Sequence, residues 1–487
     1  MLRIWLVSLI VQTRSCFAAD FPWPAAEFRG VWVATVSNID WPSSSHLSTH
    51  QQKLELGAIV DKFKSLNFNA IVFQVRTSGD ALYNSSLEPW STFLTGTQGH
   101  APSPFYDPLE YLIGKAHAAG LEVHAWFNPY RARAGSTSRS GLAPNHMANR
   151  FPSHAHAYGT NLWMDPGSSE VQDHIVNVYI DVAKRYDVDG LHMDDYFYPY
   201  PVSGQDFPDT STYHVYQNSG GKLAKADWRR SNVDTMINRL NREIHAVKPY
   251  LKFGISPFGI WKPGHPSGIN GLSAYDSLYA DAKLWMDRQW LDYIAPQLYW
   301  RIDPPAQSYP ALLDWWCQQS THGRHVYTGN AASNAVTKPD WSVQELLNQI
   351  QISRNKRNEL SLGNIQYSAK YFMHNDKGIS TNILSLYKSP VMTPPMPWLN
   401  VPVPDMPQVT GTGSSLSWAG DSTGHTYRVV VYRLYADIWE ITSFLDAHTT
   451  STTLAEGEYA VKAVNRAGME SNATIVHIKN GAFNIIG

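Results

Sequence analysis

Two adjacent aspartates are the sharpest chemical feature of the sequence. Asp194 and Asp195 stand at the end of a short apolar segment, Gly190–Asp194, which is predicted to form a β-strand. Because side chains alternate along a strand, His192 and Asp194 are expected on the same face. Hydrolysis of a glycosidic bond uses two carboxyl groups, one protonated and one ionised. Neighbouring carboxyls in different environments reach that state by separating their pKa values, so the pair is a candidate for this chemistry.

Polar side chains also stand at or near the ends of other predicted strands. A packed core would place apolar residues there, because a buried polar group loses its hydration. Their convergence on one rim predicts a substrate-binding site, with Asp80 as a second candidate for the carboxyl partner. The predicted substrate-binding residues are Gln74, Arg76, His124, Asn128, Arg131, His192, Tyr196, Trp261, Gln297, Tyr299 and Trp300.

Several candidates also have a structural interpretation. One aspartate of the pair could cap the following loop while only the other reacts. Ser78, Gly79 and Asp80 could form a turn, since Gly and Asp favour turns. His124 could be a structural histidine whose ring nitrogens are satisfied by neighbouring groups.

The elements that would position these residues alternate between strands and helices from Arg29 to Pro390. This order predicts an α/β fold, a (β/α)8 TIM barrel over residues 25–390, with its active site at the carboxyl ends of the strands. A doubly wound sheet is the alternative, but no glycine-rich phosphate turn follows the first strand. The predicted strands are Arg29–Val36, Ala70–Arg76, Glu122–Asn128, Gly190–Asp194, Lys252–Ser256, Tyr293–Tyr299, His325–Asn330 and Asn364–Ser368. The predicted helices are Gln51–Leu66, Pro108–Ala119, Ser169–Tyr186, Ala226–Val247, Tyr279–Trp290, Tyr309–Ser320, Val343–Lys356 and Asn375–Lys388.

Composition changes after the predicted barrel. Residues 391–407 contain six prolines, with Pro390 just ahead, and such a run is typical of a stiff linker. Residues 408–487 contain short alternating segments, of which Tyr427–Tyr432 and Tyr459–Asn465 resemble strands of a fibronectin type III module. We expect a small all-β sandwich that acts as a spacer rather than as the catalytic unit.

The overall composition excludes some classes of partner. Among 487 residues, 39 Lys and Arg stand against 41 Asp and Glu, which gives a formal net charge of −2. A near-neutral chain lacks the basic surface of nucleic-acid-binding and membrane-surface proteins. Aromatic residues are abundant, with 18 Trp, 26 Tyr and 17 Phe. Rings stack on the C–H faces of sugars while their polar groups bond to hydroxyls, so neutral glycans suit this composition.

Residues 1–19 have the features of a secretory signal peptide. A charged start containing Arg3 precedes the apolar stretch Ile4–Val11, and small residues follow near Ala19. Cys16 could instead carry a lipid anchor. No other apolar run is long enough to span a bilayer, so no transmembrane segment is predicted. If Cys16 leaves with the signal, Cys317 is the remaining thiol and no internal disulfide forms. We therefore expect export to a bacterial cell envelope, as a periplasmic protein or an outer-membrane lipoprotein.

Several segments together resemble the glycosyl-hydrolase-like family 10, and the likeness extends over the proposed barrel. It implies a TIM barrel, an envelope location and hydrolysis of glycan chains, and it does not cover the C-terminal module. The segments that carry the resemblance are Phe28–Val36, Asp40–Pro42, His124–Arg131, Asp194–Tyr198, Lys225–Arg230 and Asp292–Trp300.

Residues and resemblance together predict an exported glycoside hydrolase that acts on N-acetylhexosamine-containing glycans. The resemblance implies that peptidoglycan strands stripped of their stem peptides are the substrate. Asp194 is the first candidate for nucleophile or electrostatic stabiliser, and Asp195 or Asp80 for general acid. The acetamide oxygen of the substrate could instead attack, with Asp194 and Asp195 orienting it and protonating the leaving oxygen. We expect a monomer without metal or cofactor. The alternatives are a metal-dependent polysaccharide deacetylase and a non-catalytic glycan-binding protein of the envelope.

Overall fold

The computed structural model describes residues 25–419, 424–447 and 449–486. The strands before residue 400 are β1 (Phe28–Val33), β2 (Ala70–Arg76), β3 (Glu122–Phe127), β4 (Arg131–Arg133), β5 (Ala155–Tyr158), β6 (Asn161–Met164), β7 (Gly190–Met193), β8 (Lys252–Ile255), β9 (Tyr293–Ile294), β10 (His325–Asn330) and β11 (Ser361–Gln366). Eight of them pair in parallel and close into a barrel in the order β1-β2-β3-β7-β8-β9-β10-β11. The predicted TIM barrel is therefore confirmed.

The helices surround this barrel and begin where the sequence supplies capping groups. Ser48 and Gln51 form a capping box at the first helix, and Asp107 accepts a hydrogen bond from the Leu109 amide at the third. The helices are α1 (Thr49–Ser65), α2 (Thr92–Thr95), α3 (Pro108–Ala118), α4 (Met147–Arg150), α5 (Ser169–Arg185), α6 (Thr210–Asn218), α7 (Lys225–Val247), α8 (Ala274–Ser277), α9 (Ala282–Asp287), α10 (Tyr309–Gln319), α11 (Ala332–Thr337), α12 (Val343–Asn355), α13 (Ala369–Met373) and α14 (Ile379–Ile383).

The barrel separates two apolar regions, as alternation along its strands requires. Leu191 and Met193 belong to the outer core between strands and helices. The interior is unusually aromatic and contains Phe28, Trp32, Trp126, Tyr293 and Tyr327. His192 faces this interior, so the alternation of side chains predicted along strand β7 is confirmed.

Three predicted elements differ from the structure. The sixth strand ends at Ile294 instead of Tyr299, after which Gln297 makes only isolated bridges. The helix predicted over Asn375–Lys388 is reduced to α14, because Asn375, Lys377 and Gly378 adopt positive φ just before it. The helix predicted over Tyr279–Trp290 is limited to α9, which Asp281 caps. Apolar spacing alone did not show these breaks.

A small antiparallel sandwich follows the barrel. Its strands are β12 (Val409–Thr412), β13 (Ser415–Trp418), β14 (Arg428–Tyr435), β15 (Ile438–Asp446), β16 (Ser451–Thr453), β17 (Gly457–Val464), β18 (Thr474–Lys479) and β19 (Ala482–Ile485). They form a three-stranded sheet, β12-β13-β16, and a five-stranded sheet, β15-β14-β17-β18-β19. The predicted small all-β domain is confirmed, while its likeness to fibronectin type III modules stays a prediction.

The sandwich docks on the end of the barrel where the strands begin. Arg428 donates to the Gly120 carbonyl at 3.0 Å, just before β3, and Arg466 pairs with Asp187 at 2.6 Å, just before β7. The proline-rich segment 391–407 lies against the same end and inserts Met396 and Leu399 into the barrel interior. The C-terminal domain is thus opposite the carboxyl ends of the strands.

The predicted signal peptide and Cys16 lie outside the described residues. In the part of the chain that the structure describes, Cys317 is a buried free cysteine, and burial raises the pKa of its thiol to about 12. Within residues 25–419, 424–447 and 449–486, no helix combines the length and apolar character needed to cross a membrane.

Candidate active site

A cleft of about 270 Å³ opens at the carboxyl ends of the barrel strands. Parallel strands place the first residues of their following loops together at this end, which is where TIM barrels bind ligands. The lining residues are Trp32, Val36, Ile39, Gln74, Trp126, Asn128, Arg131, Asp194, Asp195, Tyr196, Tyr200, Ser256, Gln297, Tyr299 and Tyr367. Eight residues predicted from the sequence therefore meet in one cavity: Gln74, Asn128, Arg131, Asp194, Asp195, Tyr196, Gln297 and Tyr299.

Asp194 follows β7 directly and is held by donors from β3 and its own loop. One carboxylate oxygen, Oδ2, accepts from Trp126 Nε1 at 3.0 Å and from Asn128 Nδ2. Among the described residues, the other oxygen, Oδ1, accepts only from the Tyr196 amide at 3.3 Å. The side chain is thereby fixed by one oxygen, and the other has capacity left for a proton or a ligand.

A buried amide network fixes the orientation of Asn128. Its Oδ1 accepts from Gln74 Nε2 at 2.6 Å and from Arg131 Nη2 at 2.9 Å. Two donors on the carbonyl oxygen require that Nδ2 be the group facing Asp194. Gln74 is itself fixed because its Oε1 accepts from the Thr35 amide at 2.8 Å. These residues form a prearranged support behind the carboxyl.

Asp195 begins the loop after β7 and has different neighbours. Its Oδ2 accepts from the hydroxyl of Tyr200, and the side chain of Gln297 also favours the ionised carboxylate. Gln297 is anchored by donation to the Ser256 carbonyl at 3.1 Å. Burial and the charge of Asp195 raise the pKa of Tyr200 well above its usual value, so this phenol remains a donor. The two aspartates are thus held by separate sets of groups.

Burial governs the ionisation of the pair. It raises the pKa of Asp194 to about 7, and the neighbouring charge of Asp195 adds to the shift, while Arg131 and Trp126 oppose it. Burial also raises the pKa of Asp195. Two interacting carboxyls in such a site titrate as a unit, and near neutral pH they hold one proton between them. Burial and the charge of Asp195 both favour the protonated form of Asp194, so the pair can combine an acid with a base.

Aromatic rings form much of the cleft wall. The Arg131 guanidinium lies 5.1 Å from the centre of the Tyr196 ring, and the rings of Tyr299 and Tyr367 are 6.2 Å apart. Rings of this kind suit the apolar faces of sugars. Neither Val36 nor Ile39 is polar, so the cleft also offers an aliphatic patch.

Arg76 and Asp80 lie outside the cleft, although the sequence placed both among the site residues. Arg76 is fully buried and pairs with Glu88, with Nε to Oε2 at 2.7 Å. Asp80 accepts from Thr77 Oγ1 at 2.7 Å and from the Ser78 amide, which is the turn arrangement considered above. The polar groups of both side chains are thus bonded to structural partners outside the cleft.

His124 and His192 are in the barrel interior beneath the cleft. His124 lies between Tyr293 and Glu122, and His192 lies between Tyr293 and Trp32. Alternation correctly gives the side of the strand on which each stands. It does not give the level inside the barrel, and the cleft lies above both rings.

Trp261 and Trp300 belong to the surrounding loops and do not line the cleft. Trp261 donates to Asp281 at 3.0 Å and stacks on Trp315 with ring centres 5.6 Å apart. Trp300 packs edge-to-face on Phe258 at 5.5 Å. Their predicted sugar contacts would therefore require an extension of the ligand beyond the cavity.

Four lining aromatics were absent from the predicted site: Trp32, Trp126, Tyr200 and Tyr367. The signal for Trp126 was present, because it shares a strand face with Asn128 two residues later. Tyr200 stands in an irregular loop, where no periodicity indicates the direction of a side chain. Trp32 and Tyr367 come from neighbouring strand ends that meet only when the barrel closes.

The raised pKa of Asp194 makes fold stability depend on pH. A carboxyl whose pKa is 3.8 when unfolded and about 7 when folded favours the neutral form by about 4 kcal/mol. The folded protein holds a proton that the unfolded chain releases, so this stabilisation is complete below about pH 4 and lost as pH rises to about 7. The side chain cannot ionise in the Asp194→Asn variant. The free energy of unfolding of this variant should therefore exceed that of the wild type by more at pH 8 than at pH 5. Denaturant unfolding at both pH values measures this, and an equal difference at both would contradict the assignment.

The geometry that a metal-dependent deacetylase needs does not occur in the described part of the chain. No group of three or more His, Cys, Asp or Glu side chains there is arranged to hold a metal ion. His154 lies 3.7 Å from Glu170 and His156 lies 3.7 Å from Asp165, as separate pairs outside the cleft lining.

Known proteins resemble this chain in sequence. The family model described as glycosyl hydrolase-like 10 matches residues 27–345. The chain is 42% identical over 423 residues to glycosyl hydrolase YngK of Bacillus subtilis (strain 168), covering 83% of this chain and 81% of that protein. It is 36% identical over 353 residues to glycosyl hydrolase DigH of Escherichia coli (strain K12), covering 67% of this chain and 79% of that protein.

A solved structure was also matched: the PgaB (BpsB) glycoside hydrolase domain from Bordetella bronchiseptica, with a TM-score of 0.49 and 17% identity over 76% of this chain and 99% of that one. The family model and the two curated relatives confirm the resemblance found in the sequence. The chain belongs to the glycosyl hydrolase-like 10 family.

Proposed function

We propose that the protein is exported and hydrolyses glycosidic bonds in N-acetylhexosamine-containing glycans of the bacterial cell envelope. One observation carries the proposal: Asp194 and Asp195 lie side by side in an aromatic-walled cleft, buried enough to share one proton near neutral pH. Such a pair supplies the acid and the base or nucleophile that glycoside hydrolysis needs.

Asp194 donates the proton to the leaving oxygen in this mechanism. Its Oδ1 has unused hydrogen-bonding capacity, whereas Oδ2 is held by Trp126 and Asn128. Asp195 is the ionised partner, supported by Tyr200 and Gln297. This reverses the order of roles expected from the sequence, in which Asp194 was the first candidate for nucleophile or stabiliser.

An N-acetyl group suits the rest of the lining. The acetamide methyl would pack against the aliphatic side chains of Val36 and Ile39. Its N–H would donate to the ionised Asp195, which orients the acetamide oxygen for attack on the anomeric carbon. Direct attack by Asp195 or by water is the other route available to the same two carboxyls.

Peptidoglycan strands without stem peptides are the substrate we propose. Removal of the peptide leaves a free carboxylate on the lactyl group of each muramic acid. Arg131 contributes a cation to the cleft lining that its bonds to Thr77 and Asn128 hold in place, and we assign this guanidinium to the ligand carboxylate. A strand that retains its peptides has no such carboxylate.

Digestion of purified sacculi tests the proposal. Amidase-treated sacculi, untreated sacculi and a chitooligosaccharide are incubated with the protein, and soluble products are resolved by mass. We expect hydrolytic fragments from treated sacculi and at least about tenfold fewer from untreated sacculi. Products with an anhydro end would identify a lytic transglycosylase instead. Equal release from the chitooligosaccharide would retain the glycosidase and remove the role given to the lactyl carboxylate.

A further inference from the structure

A continuous chain of hydrogen bonds crosses the barrel interior beneath the cleft. Trp32 Nε1 lies 3.3 Å from His192 Nε2, and His192 Nδ1 lies 3.0 Å from the hydroxyl of Tyr293. The same hydroxyl lies 2.8 Å from Nδ1 of His124, whose Nε2 lies 3.1 Å from Glu122. The chain therefore runs from a residue that lines the cleft to the first residue of β3, at the opposite end of the barrel.

The chemistry of these groups sets the direction of donation. An indole N–H only donates, so Nε2 of His192 must accept from Trp32. Burial keeps the pKa of His192 well below its usual value, so the ring is neutral and carries its one proton on Nδ1. The Tyr293 hydroxyl accepts a hydrogen bond from the Nδ1–H of His192 and donates its own hydrogen to Nδ1 of His124. In turn His124 donates from Nε2 to Glu122, and every ring nitrogen and hydroxyl of the chain is used.

The final acceptor is held in its ionised form. Glu122 accepts from Lys252 Nζ at 2.5 Å and from Thr393 Oγ1 at 2.7 Å. Burial raises the pKa of Glu122, but the charge of Lys252 and the bond from His124 outweigh it and lower the pKa to about 2. A permanent anion at this end polarises the whole chain toward it.

The barrel strands leave space for the rings of this chain. A Cβ atom at Gly254 in β8 would lie 1.9 Å from the Tyr293 ring, and one at Gly190 in β7 would lie 2.6 Å from Nδ1 of His124. Any other residue at either position would displace the ring above it. The glycines therefore favour this one arrangement of rings independently of the hydrogen bonds.

We propose that His192, Tyr293 and His124 are positioning residues that fix the Trp32 indole, so that the small part of it that reaches the cleft floor contacts the bound glycan. The identity of the ligand rests on the proposed function, whereas the direction of donation along the hydrogen bonds depends on the protein alone. An indole fixed before the ligand arrives loses little freedom on binding. No member of the chain bonds to Asp194 or Asp195, so the effect falls on sugar binding rather than on bond cleavage.

Tyr293→Phe breaks the chain at its centre, and Tyr327→Phe is the matched control. Tyr327 is buried in the same interior, with its ring centre 5.0 Å from that of Tyr293, and its hydroxyl lies 2.8 Å from a different histidine, His325. Both variants lose one buried phenol hydroxyl bonded to histidine. Only Tyr293→Phe removes the acceptor that fixes the tautomer of His192. The other tautomer would point an N–H at the N–H of Trp32 and tilt the indole.

We expect Tyr293→Phe to raise KM for the glycan about fivefold while kcat changes less than about twofold, and Tyr327→Phe to leave KM unchanged. In ¹⁵N spectra, the indole resonance of Trp32, assigned by its loss in Trp32→Phe, should move or broaden in Tyr293→Phe only. Wild-type His192, assigned by its loss in His192→Gln, should show the neutral Nδ1–H tautomer.

Two results would overturn the inference. One is an equal change of KM and of the indole resonance in both tyrosine variants. The other is an Nε2–H or cationic His192 in the wild-type protein. If the wild type cleaves no glycan at all, the proposed function fails, while the tautomer and the indole resonance still decide whether the chain holds Trp32.

Discussion

Replacing Asp194 or Asp195 by asparagine is expected to lower kcat/KM on a natural glycan by about 10²–10⁴-fold. The Asp194→Asn variant would keep a hydrogen-bond acceptor for Trp126 and Asn128 but would have no proton to give to the leaving oxygen. The Asp195→Asn variant would lack the negative charge that attacks or orients. Because asparagine has nearly the volume of aspartate, both variants should fold. Steady-state hydrolysis of a soluble oligosaccharide measures the loss.

Asp234→Asn provides a matched control for Asp194→Asn. Asp234 lies in α7, outside the cleft lining, and accepts from Trp285 Nε1 at 2.7 Å. Burial raises its pKa to about 7, as it does for Asp194. The control thus removes an indole-bound carboxyl with a similar pKa, and we expect kcat/KM to stay within about twofold of the wild type. Full activity in Asp194→Asn and Asp195→Asn would instead favour a glycan-binding protein without catalysis.

Substrates with an activated leaving group separate the two roles. A dinitrophenyl glycoside departs without protonation, so the acid is dispensable for bond cleavage whereas the nucleophile or orienting base is still needed. Asp194→Asn should therefore recover most of its activity on this substrate, and Asp195→Asn should not. The opposite pattern would restore the assignment made from the sequence, with Asp195 as the acid.

The fold could be predicted from sequence because the spacing of its apolar residues closely follows the periods of strands and helices. Each barrel strand is a short apolar run followed by a helical pattern, and the closed barrel has the predicted strand order. Alternation of side chains along the strands also predicted that Asn128 and Asp194, which follow separate strands, face one cleft. Residues of the loops, such as Tyr200, follow no period, and their direction depends on packing between elements far apart in sequence.

Arg76 shows how a local irregularity defeats alternation. It stands two residues after Gln74, so a regular strand would turn both side chains toward the cleft. The pairing of β2 with β3 shifts its register between Gln74 and Arg76, and this bulge turns Arg76 away. Its partner Glu88 comes from the following loop, which the pattern of apolar residues does not indicate. The bulge thereby converts a predicted ligand group into a structural ion pair.

Arg76→Met is expected to lower the free energy of unfolding by about 3–5 kcal/mol, because it leaves Glu88 charged and buried without its cation. Both side chains are fully buried, and Arg76 Nη1 also donates to the carbonyls of Asn128 and Pro129 at 2.6 and 2.8 Å. Although burial raises the pKa of Glu88, the Arg76 charge holds it below its usual range, so the carboxyl stays ionised. Glu88 is also bonded to His174 at 2.9 Å, which offsets part of the loss.

A double variant distinguishes an uncompensated charge from lost packing. Arg76→Met combined with Glu88→Leu removes both charges and should recover much of the stability, since a buried ion pair replaced by apolar side chains costs little. The recovery should be incomplete, because the two carbonyls that Arg76 served keep no donor. Denaturant unfolding of the single and double variants measures the coupling. If Arg76→Met unfolds like the wild type and instead raises KM for the glycan, Arg76 contacts the substrate as the sequence first suggested, and the ion pair with Glu88 is not what holds this end of the barrel.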